Sequence, residues 1–189
     1  MNDKNSAEWE KRIISPQKAM KVLEPGMCLF LGTGAAEPRG LIRELMNSEA
    51  SNLQDLELFQ LLSFGDAISI QKLQTQKFRL KTFFSGWVAK EAITAGQVDL
   101  IPSRFSRLTQ LIDSRRIPFD AAFVQITPPN RLGYCSLGIS VDVARQVMNQ
   151  TEIIIGEINP EMPTTLGNTF VSIDEFDYLV KATEKPILF

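Results

Sequence analysis

The sequence predicts an α/β fold, an open, doubly wound and mainly parallel sheet with helices on both faces. Short apolar runs of strand length alternate along the chain with helical patterns, and this alternation is typical of parallel sheets. The runs are apolar at consecutive positions, which indicates strands covered on both faces. The 189 residues, 44% of them hydrophobic and 22% charged, fit a single domain spanning 1–189. Residues 1–13 precede the first clear pattern and are the candidate for a flexible arm.

In the first half of the chain, capping residues and glycines mark where the predicted elements begin and end. Ser15 and Pro16 are the residue types of an N-cap and a first helical position, and Pro25 with Gly26 ends that helix. The apolar run 27–31 (MCLFL) then predicts a buried strand. The other elements predicted in this half are strands at 56–62 and 78–84 and helices around 41–45, 89–95 and 104–114.

The second half continues the alternation with two long apolar runs. Residues 119–126 (FDAAFVQI) and 151–158 (TEIIIGEI) predict buried strands, and 141–149 predicts the helix between them. The loop after the first run contains two prolines, which cannot continue the hydrogen-bond ladder of a sheet. The printed sequence stops on the apolar residues 187–189. A cut through a longer protein is the favoured interpretation, and a final segment docked on the core is the alternative.

Composition excludes several kinds of chemistry. The chain has no histidine, which rules out Ser-His and Cys-His nucleophile pairs, histidine acid–base catalysis and histidine-ligated zinc or iron. With 20 basic and 22 acidic residues and no run of like charge, it lacks the basic face of a nucleic-acid or anionic-membrane binder. We therefore expect neither nucleic acid nor a membrane as a partner. The absence of an apolar signal segment and of a bilayer-length apolar stretch predicts a cytoplasmic protein.

The two cysteines are far apart in sequence and match no metal-ligand spacing, so no metal site is expected. Cys28 lies in a predicted central strand and is interpreted as an inert core thiol. Cys135 is predicted in a loop, where a thiol can be accessible, although no histidine is there to activate it.

Candidate binding residues follow the predicted strands, because open α/β sheets bind ligands beyond the carboxyl ends of their strands. Gly32, Thr33 and Gly34 follow the first strand; the glycines permit close approach of a ligand and leave backbone amides free to face an anion. Glu37 stands where the dinucleotide fingerprint needs its third glycine, so that fingerprint is absent. The alternative for the loop is a structural tight turn, and for Glu37 a cap on the following helix.

Two further strand exits carry unusual residues. Residues 127–138 (TPPNRLGYCSLG) and 157–163 (EINPEMP) both come at the ends of predicted buried strands. Asn159 and its neighbouring prolines can order the wall of a pocket. Rigid connections and ordinary turns are the alternative interpretations of both segments.

The three loops in this order resemble the N-terminal half of the acetyl-CoA hydrolase/transferase family, the class I coenzyme A transferases that include 4-hydroxybutyrate, butyrate and succinate enzymes. The resemblance covers about 14–180. Its matching stretches are 30–34 (FLGTG) with Glu37 and Pro38, 83–86 (FFSG), 99–102 (DLIP), 128–130 (PPN), 133–134 (GY), 136–138 (SLG) and 157–163. It implies a CoA-transferase (NagB-like) domain that forms one wall of a cleft between two similar α/β domains.

The resemblance also implies a mechanism. In the family a glutamate attacks the acyl-CoA carbonyl, and a mixed anhydride and a glutamyl-CoA thioester form before CoA passes to an acceptor acid or to water. That glutamate belongs to a second, C-terminal domain, so no catalytic residue is assigned here and the printed chain alone is expected to be inactive. The residues expected to line the acyl or carboxylate end of the cleft, as donors and shaped walls, are Gly32, Thr33, Gly34, Glu37, Pro38, Asn159, Met162 and Pro163.

The expected substrate is therefore coenzyme A in the form of acyl-CoA, and the expected partners are a small carboxylic acid, the missing C-terminal domain and, through the exposed interdomain face, a second copy of the chain. Arg39 is expected either to pair with a substrate carboxylate or CoA phosphate or to be an ordinary surface residue. The sequence departs from the family pattern at Arg39, Asn130, Leu132, Thr164, Ser172 and Lys181. These departures favour a divergent branch and leave two alternatives: an inactive domain that binds acyl-CoA or an organic acid, and a mainly structural domain.

Overall fold

The computed structural model describes residues 8–73 and 77–187. Its strands are β1 (Cys28–Leu31), β2 (Leu56–Gln60), β3 (Phe78–Thr82), β4 (Val98–Leu100), β5 (Ala121–Ile126), β6 (Tyr134–Ser136), β7 (Ile153–Ile158), β8 (Phe170–Ser172) and β9 (Tyr178–Lys181). Its helices are α1 (Pro16–Met20), α2 (Arg39–Asn47), α3 (Ile70–Leu73), α4 (Gly86–Thr94), α5 (Phe105–Asp113) and α6 (Ala144–Met148).

Within the described residues, one sheet has the strand order β4-β3-β2-β1-β5-β7-β9, and all of its neighbouring strands are parallel. This confirms the predicted open parallel α/β sheet. The chain leaves β1 toward β4 and then returns to β5 on the other side of β1, so the direction of winding reverses between these two strands. The crevice outside the carboxyl ends of β1 and β5 is therefore the topological switch point, where folds of this class bind ligands. The short strands β6 and β8 pair antiparallel in a separate ribbon.

The continuous apolar pattern of β1 arises because helices cover the sheet on both faces. Leu29 and Leu31 pack in a cluster with residues of α1, α2 and α4, whereas Cys28 and Phe30 pack in a second cluster with residues of α5 and α6. Successive side chains of a strand point to opposite faces, so an element covered on both sides must be apolar at every position. The interpretation of Cys28 as a core thiol is confirmed, since it is buried and burial raises its pKa to about 12.

The boundaries differ where tertiary contacts decide them. The Ser15 side chain accepts a hydrogen bond from the amide of Lys18, as an N-cap does, but α1 ends at Met20 rather than near Pro25. The Nδ2 of Asn52 donates to the carbonyl oxygens of Met20 and Leu23, at 2.8 and 2.7 Å, and so satisfies carbonyls at the helix end. The elements α3, β4, β6, β8 and β9 were not predicted, because three or four residues are too few for a periodic pattern.

Residues 8–13, part of the segment considered as a flexible arm, pack against the edge of the sheet. Trp9–Arg12 forms a 3-10 turn, and Ile13 makes a parallel bridge with Leu179 of β9. Arg12 donates to the carbonyl oxygen of Phe176 at 2.7 Å and pairs with Asp174 at 3.0 Å. These six residues therefore belong to the folded domain, and residues 1–7 of the proposed arm lie outside the described part of the chain.

Candidate functional site

A buried polar network lies at the carboxyl ends of the central strands, beside the switch point. Its first member is Glu37, which follows β1 and is only 1% exposed. Gln60, the last residue of β2, donates from Nε2 to Oε2 of Glu37 at 3.1 Å and to the carbonyl oxygen of Gly32, also at 3.1 Å. The hydroxyl of Ser63 donates to the same Oε2 at 2.7 Å. Two donors thus converge on one oxygen of this carboxyl group.

The other oxygen of Glu37 is different. Oε1 is buried, and within the described residues it has no hydrogen-bond partner. Burial raises the pKa of Glu37, although the hydrogen bonds from Ser63 and Gln60 favour the charged form and act in the opposite direction. The group therefore retains a proton more readily than an exposed glutamate, and a protonated carboxyl is a hydrogen-bond donor. The structure contradicts the helix-cap alternative for Glu37, because its side chain points to Gln60 and Ser63 rather than to the amides of α2.

A second buried carboxyl group contacts the start of α2 instead. Glu157, in β7, accepts from the backbone amide of Leu41 at 2.7 Å and from Nε2 of Gln125 at 3.1 Å. A Cβ atom at Gly40 would lie 2.8 Å from Oε2 of Glu157, so only glycine lets the carboxyl approach the helix this closely. Burial raises the pKa of Glu157 to about 7, although the Leu41 amide and the Gln125 side chain favour its charged form.

Gln125 joins the two carboxyl groups into one network. It lies in β5, and its Nε2 donates both to Glu157 and, at 3.0 Å, to the backbone carbonyl of Glu37. Its Oε1 accepts a long hydrogen bond of 3.4 Å from Nδ2 of Asn159. Two buried glutamines, Gln60 and Gln125, therefore hold the loop between β1 and α2 at both of its ends.

Asn159 and Arg39 contact the segment 184–187, which passes over this edge of the sheet. Nδ2 of Asn159 donates to the carbonyl oxygen of Glu184 at 3.0 Å. Arg39 donates to the carbonyl oxygen of Lys185 at 2.5 Å and lies 3.4 Å from the Glu184 carboxylate. Arg39 is therefore neither a solvated surface residue nor directed at a free anion site, because its partners come from the chain itself.

The structure corrects the prediction that the glycine-loop amides face an anion. The amide of Gly32 donates to the carbonyl of Phe123, and that of Gly34 donates to the carbonyl of Leu62, both at 2.9 Å. Gly34 has a φ of +59°, and a Cβ there would lie 2.6 Å from Oγ of Ser140, so the loop requires glycine. Both glycine amides thus have protein partners.

The other predicted site residues differ in their burial and in their contacts. Thr33 is buried and its hydroxyl donates to Asp142, and Pro38 is buried at the N-cap of α2. Met162 is 4% exposed and packs against Gly138. Pro163 is exposed and is not part of the network. The prediction of an accessible Cys135 is wrong: it lies in β6, is 0% exposed, and burial raises its pKa to about 12.

Sequence reasoning missed Gln60, Ser63 and Gln125. Two of them had a signal, since Gln60 and Gln125 are polar residues at or next to the ends of mostly apolar strands. A buried amide at such a position must find partners inside the protein. Ser63 had no signal, because it lies in an irregular loop.

Other candidate features lie elsewhere. An open groove at the amino ends of β2, β3 and β4, lined by residues that include Asp55, Arg79 and Asp99, is at the opposite edge of the sheet from the network. In the ranges 8–73 and 77–187, no group of three or more cysteine, aspartate or glutamate side chains is arranged to hold a metal ion. None of the helices in these ranges has the length and apolar character of a bilayer-spanning segment.

Comparison with known proteins gives a family match over the chain. A sequence model described as the acetyl-CoA hydrolase/transferase N-terminal domain matches residues 1–189. The chain is 28% identical to 4-hydroxybutyrate coenzyme A transferase of Clostridium kluyveri over 96% of its own length and 43% of that protein. It is 33% identical to a succinyl-CoA:acetate/propanoyl-CoA:succinate CoA transferase of Fasciola hepatica, over 79% of its length and 31% of that protein.

Solved structures show the same fold. The crystal structure of RipA from Yersinia pestis superposes with a TM-score of 0.85 at 22% identity, covering 97% of this chain and 45% of that one. The chain thus spans less than half the length of these relatives.

Proposed function

The chain belongs to the acetyl-CoA hydrolase/transferase family, and from this premise we propose that it is the N-terminal domain of an acyl-CoA hydrolase or CoA-transferase acting on small carboxylic acids. The observation that carries the proposal is the buried carboxyl group of Glu37 beside the switch point of the sheet. The names of the relatives support small acids as substrates. The nucleophilic glutamate is proposed to lie in a further C-terminal domain, which agrees with the share of the relatives that the chain spans.

The proposed transfer conserves one thioester bond, and the proposed hydrolysis breaks it. The glutamate carboxylate attacks the acyl-CoA carbonyl, and the carbon–sulfur bond breaks. The CoA thiolate departs, and a mixed anhydride of the acyl group and the glutamate remains. The thiolate then attacks the glutamyl carbonyl, which releases the donor acid and forms glutamyl-CoA. An acceptor carboxylate reverses these two steps to give a new acyl-CoA, whereas water at glutamyl-CoA gives free CoA and the regenerated glutamate.

Glu37 is proposed to act as a neutral hydrogen-bond donor at the acyl end of this cleft. Its Oε2 is held by Gln60 and Ser63, which leaves Oε1 to carry a proton toward a substrate oxygen. Negative charge develops on the thioester oxygen when the carbonyl is attacked, so a fixed donor there stabilises the transition state. Asn159 and the walls formed by Thr33, Pro38 and Met162 complete the proposed acyl end.

The first experiment is an acyl-exchange assay on the protein in its encoded length. Acetyl-CoA is supplied with butyrate, succinate or 4-hydroxybutyrate, and new acyl-CoA and free CoA are separated by chromatography. We expect exchange or hydrolysis with at least one acid. Failure with every acid, in a protein that is folded and contains a second domain, would overturn the enzymatic proposal.

A pair of variants tests the role of Glu37. Glu37→Gln keeps a donor at the position of Oε1 and acceptors for Gln60 and Ser63, whereas Glu37→Leu removes both. We expect Glu37→Leu to lower kcat by about 100-fold and Glu37→Gln to retain most of it. Equal losses in the two variants would contradict donation by this group.

The alternative function is an inactive domain that binds acyl-CoA or an organic acid. It is favoured by the departures from the family pattern at Asn130, Leu132, Thr164, Ser172 and Lys181. Calorimetric binding of acetyl-CoA to the encoded protein without any turnover would support it.

The second domain is proposed to face the carboxyl edge of the sheet. Phe64 and Ile139 are 46% and 42% exposed there, near the glycine loop, and large exposed apolar side chains of this kind are typical of interaction faces. Without that domain, the same face would favour homodimers of the printed chain. Light scattering that shows only monomers at high concentration would contradict this expectation.

A further inference from the structure

Segment 184–187, defined here as the strap, lies on the polar network without joining the sheet. The last backbone hydrogen bond before it runs from the amide of Ala182 to the carbonyl of Ile158, at 2.9 Å. The hydrogen bonds and ion pairs described for the strap itself all use a side chain as one partner. Arg43 contacts the Glu184 carboxylate at 2.5 Å, and Lys185 lies 3.6 Å from Glu161.

The strap occupies Asn159, a donor of the proposed site, and the neighbouring donor Arg39. The carbonyl oxygens of Glu184 and Lys185 accept from Asn159 and Arg39, respectively. Ile187 lies near the same place, because an ideal Cβ on Gly65 would lie 3.2 Å from Cδ1 of Ile187 and 3.1 Å from Oε1 of Glu37. The strap therefore passes close to the unpartnered oxygen of Glu37, and Asn159 and Arg39 hold two of its carbonyls there.

We propose that the strap is a displaceable cover over Glu37 and that a small carboxylate releases it by competing for Arg39 and Asn159. The identity of the ligand rests on the proposed function; the existence of the cover rests only on the contacts of the strap.

The chemistry of the donors selects a carboxylate. A guanidinium and a side-chain amide now bind two carbonyl oxygens, and a carboxylate presents two oxygens to the same donors with the charge that a guanidinium prefers. Removal of the strap would also free Oε1 of Glu37 for the ligand. The exchange is feasible because the strap is held by side-chain hydrogen bonds and by partly exposed ion pairs, which are individually weak, and not by strand pairing.

Hydrogen–deuterium exchange on the encoded protein tests the cover. Glu184→Gln weakens the ion pairs of the strap with Arg39 and Arg43. Asp174→Asn is the matched control, because it weakens the ion pair with Arg12, which lies away from the strap. We expect Glu184→Gln to raise exchange roughly threefold or more in peptides covering 182–187 and 60–66, and Asp174→Asn to leave both peptides unchanged. Unchanged exchange in Glu184→Gln, or an equal rise throughout the sheet, would overturn the proposal.

Sodium butyrate and sodium chloride at equal ionic strength test the ligand. Butyrate is expected to raise exchange in the strap of the wild-type protein, and chloride to leave it unchanged. Arg39→Gln should show high exchange with either salt, because it removes the Arg39 contacts to the strap and the proposed carboxylate contact together. Equal responses to both salts would overturn the competition. A strap that opens in a protein without acyl exchange refutes only the proposed function, whereas acyl exchange with a strap that never opens refutes only this inference.

Discussion

Replacement of Glu157 by glutamine is expected to flatten the pH dependence of folding stability. Glu157 is 0% exposed, and burial raises its pKa to about 7 from its ordinary value of 4.5. The native state therefore binds this proton more tightly than the unfolded chain does. The corresponding stability is fully present below about pH 4.5 and is lost as the pH rises through about 7.

The size of the effect follows from the two pKa values. A difference of about 2.5 in pKa corresponds to roughly 3 kcal/mol over the whole range. From about pH 5 to about pH 8, the wild-type protein should lose about 2.5 kcal/mol more unfolding free energy than Glu157→Gln, because glutamine does not titrate. Glu37, whose pKa is also raised, is present in both proteins and cancels in this comparison.

Guanidinium chloride denaturation followed by circular dichroism at the two pH values measures this difference. Glutamine places an amide against Nε2 of Gln125, so the variant is expected to be less stable at low pH, but this offset is the same at both pH values and leaves the difference intact. Glu152→Gln is the control, since Glu152 is exposed at the start of the same segment. If wild type and Glu157→Gln lose the same free energy between the two pH values, the reasoning about a buried titrating carboxyl is refuted.

Three further predictions concern the network, the packing around the candidate site and the thiols. Gln60→Leu removes two buried hydrogen bonds and is expected to lower the unfolding free energy by about 2 to 4 kcal/mol, measured by denaturant titration. Gly138→Ala places a methyl group 2.3 Å from Sδ of Met162, so it should destabilise the protein by about 1 to 3 kcal/mol beyond the cost of its positive φ. Cys28 and Cys135 should not react with a thiol reagent in the native protein near pH 8, and both should react after unfolding, because both are buried with pKa values raised to about 12.

Controls from the same chain separate these effects from general damage. Gln17→Leu loses only an exposed hydrogen bond to Glu44, so a stability loss as large as that of Gln60→Leu would contradict the network argument. Gly167→Ala is the control for Gly138→Ala, because Gly167 also has a positive φ, +97°, but no atom lies within 4 Å of the new Cβ. Equal losses of unfolding free energy in the two variants would show that packing on Met162 contributes nothing. Rapid labelling of either cysteine before unfolding would contradict its burial.

The larger elements of the fold could be predicted because each depends on residues close in sequence. The run 119–126 is apolar at nearly every position because β5 is covered on both faces, and Ser15 with Pro16 marks the start of α1 by local capping chemistry. Short elements such as β4 and β9 could not be predicted. They are strands because a neighbouring strand pairs with them, not because of their own pattern.

The candidate site shows the same division. Strand-end position alone pointed to the glycine loop, Glu37 and Asn159, because carboxyl ends of parallel strands meet at one edge. Strand-end position also predicted that the glycine amides face a ligand, which is wrong, because they donate to the carbonyls of Phe123 and Leu62. Hydrogen-bond partners of this kind are far away in sequence, so packing decides them and not the neighbours along the chain.

The sequence by itself determined the parallel α/β class, the lack of histidine side chains in these 189 residues, the family and the edge of the sheet that holds the polar residues. Apolar periodicity, composition and loop motifs are local properties, so they can be read without coordinates. Only the tertiary structure decided that Gln60 and Gln125 hold Glu37 and Glu157, that Cys135 is buried, and that segment 184–187 covers Asn159 and Arg39. These contacts join residues from 23 to 146 positions apart, and burial far from water then changes the chemistry of the carboxyl groups they enclose.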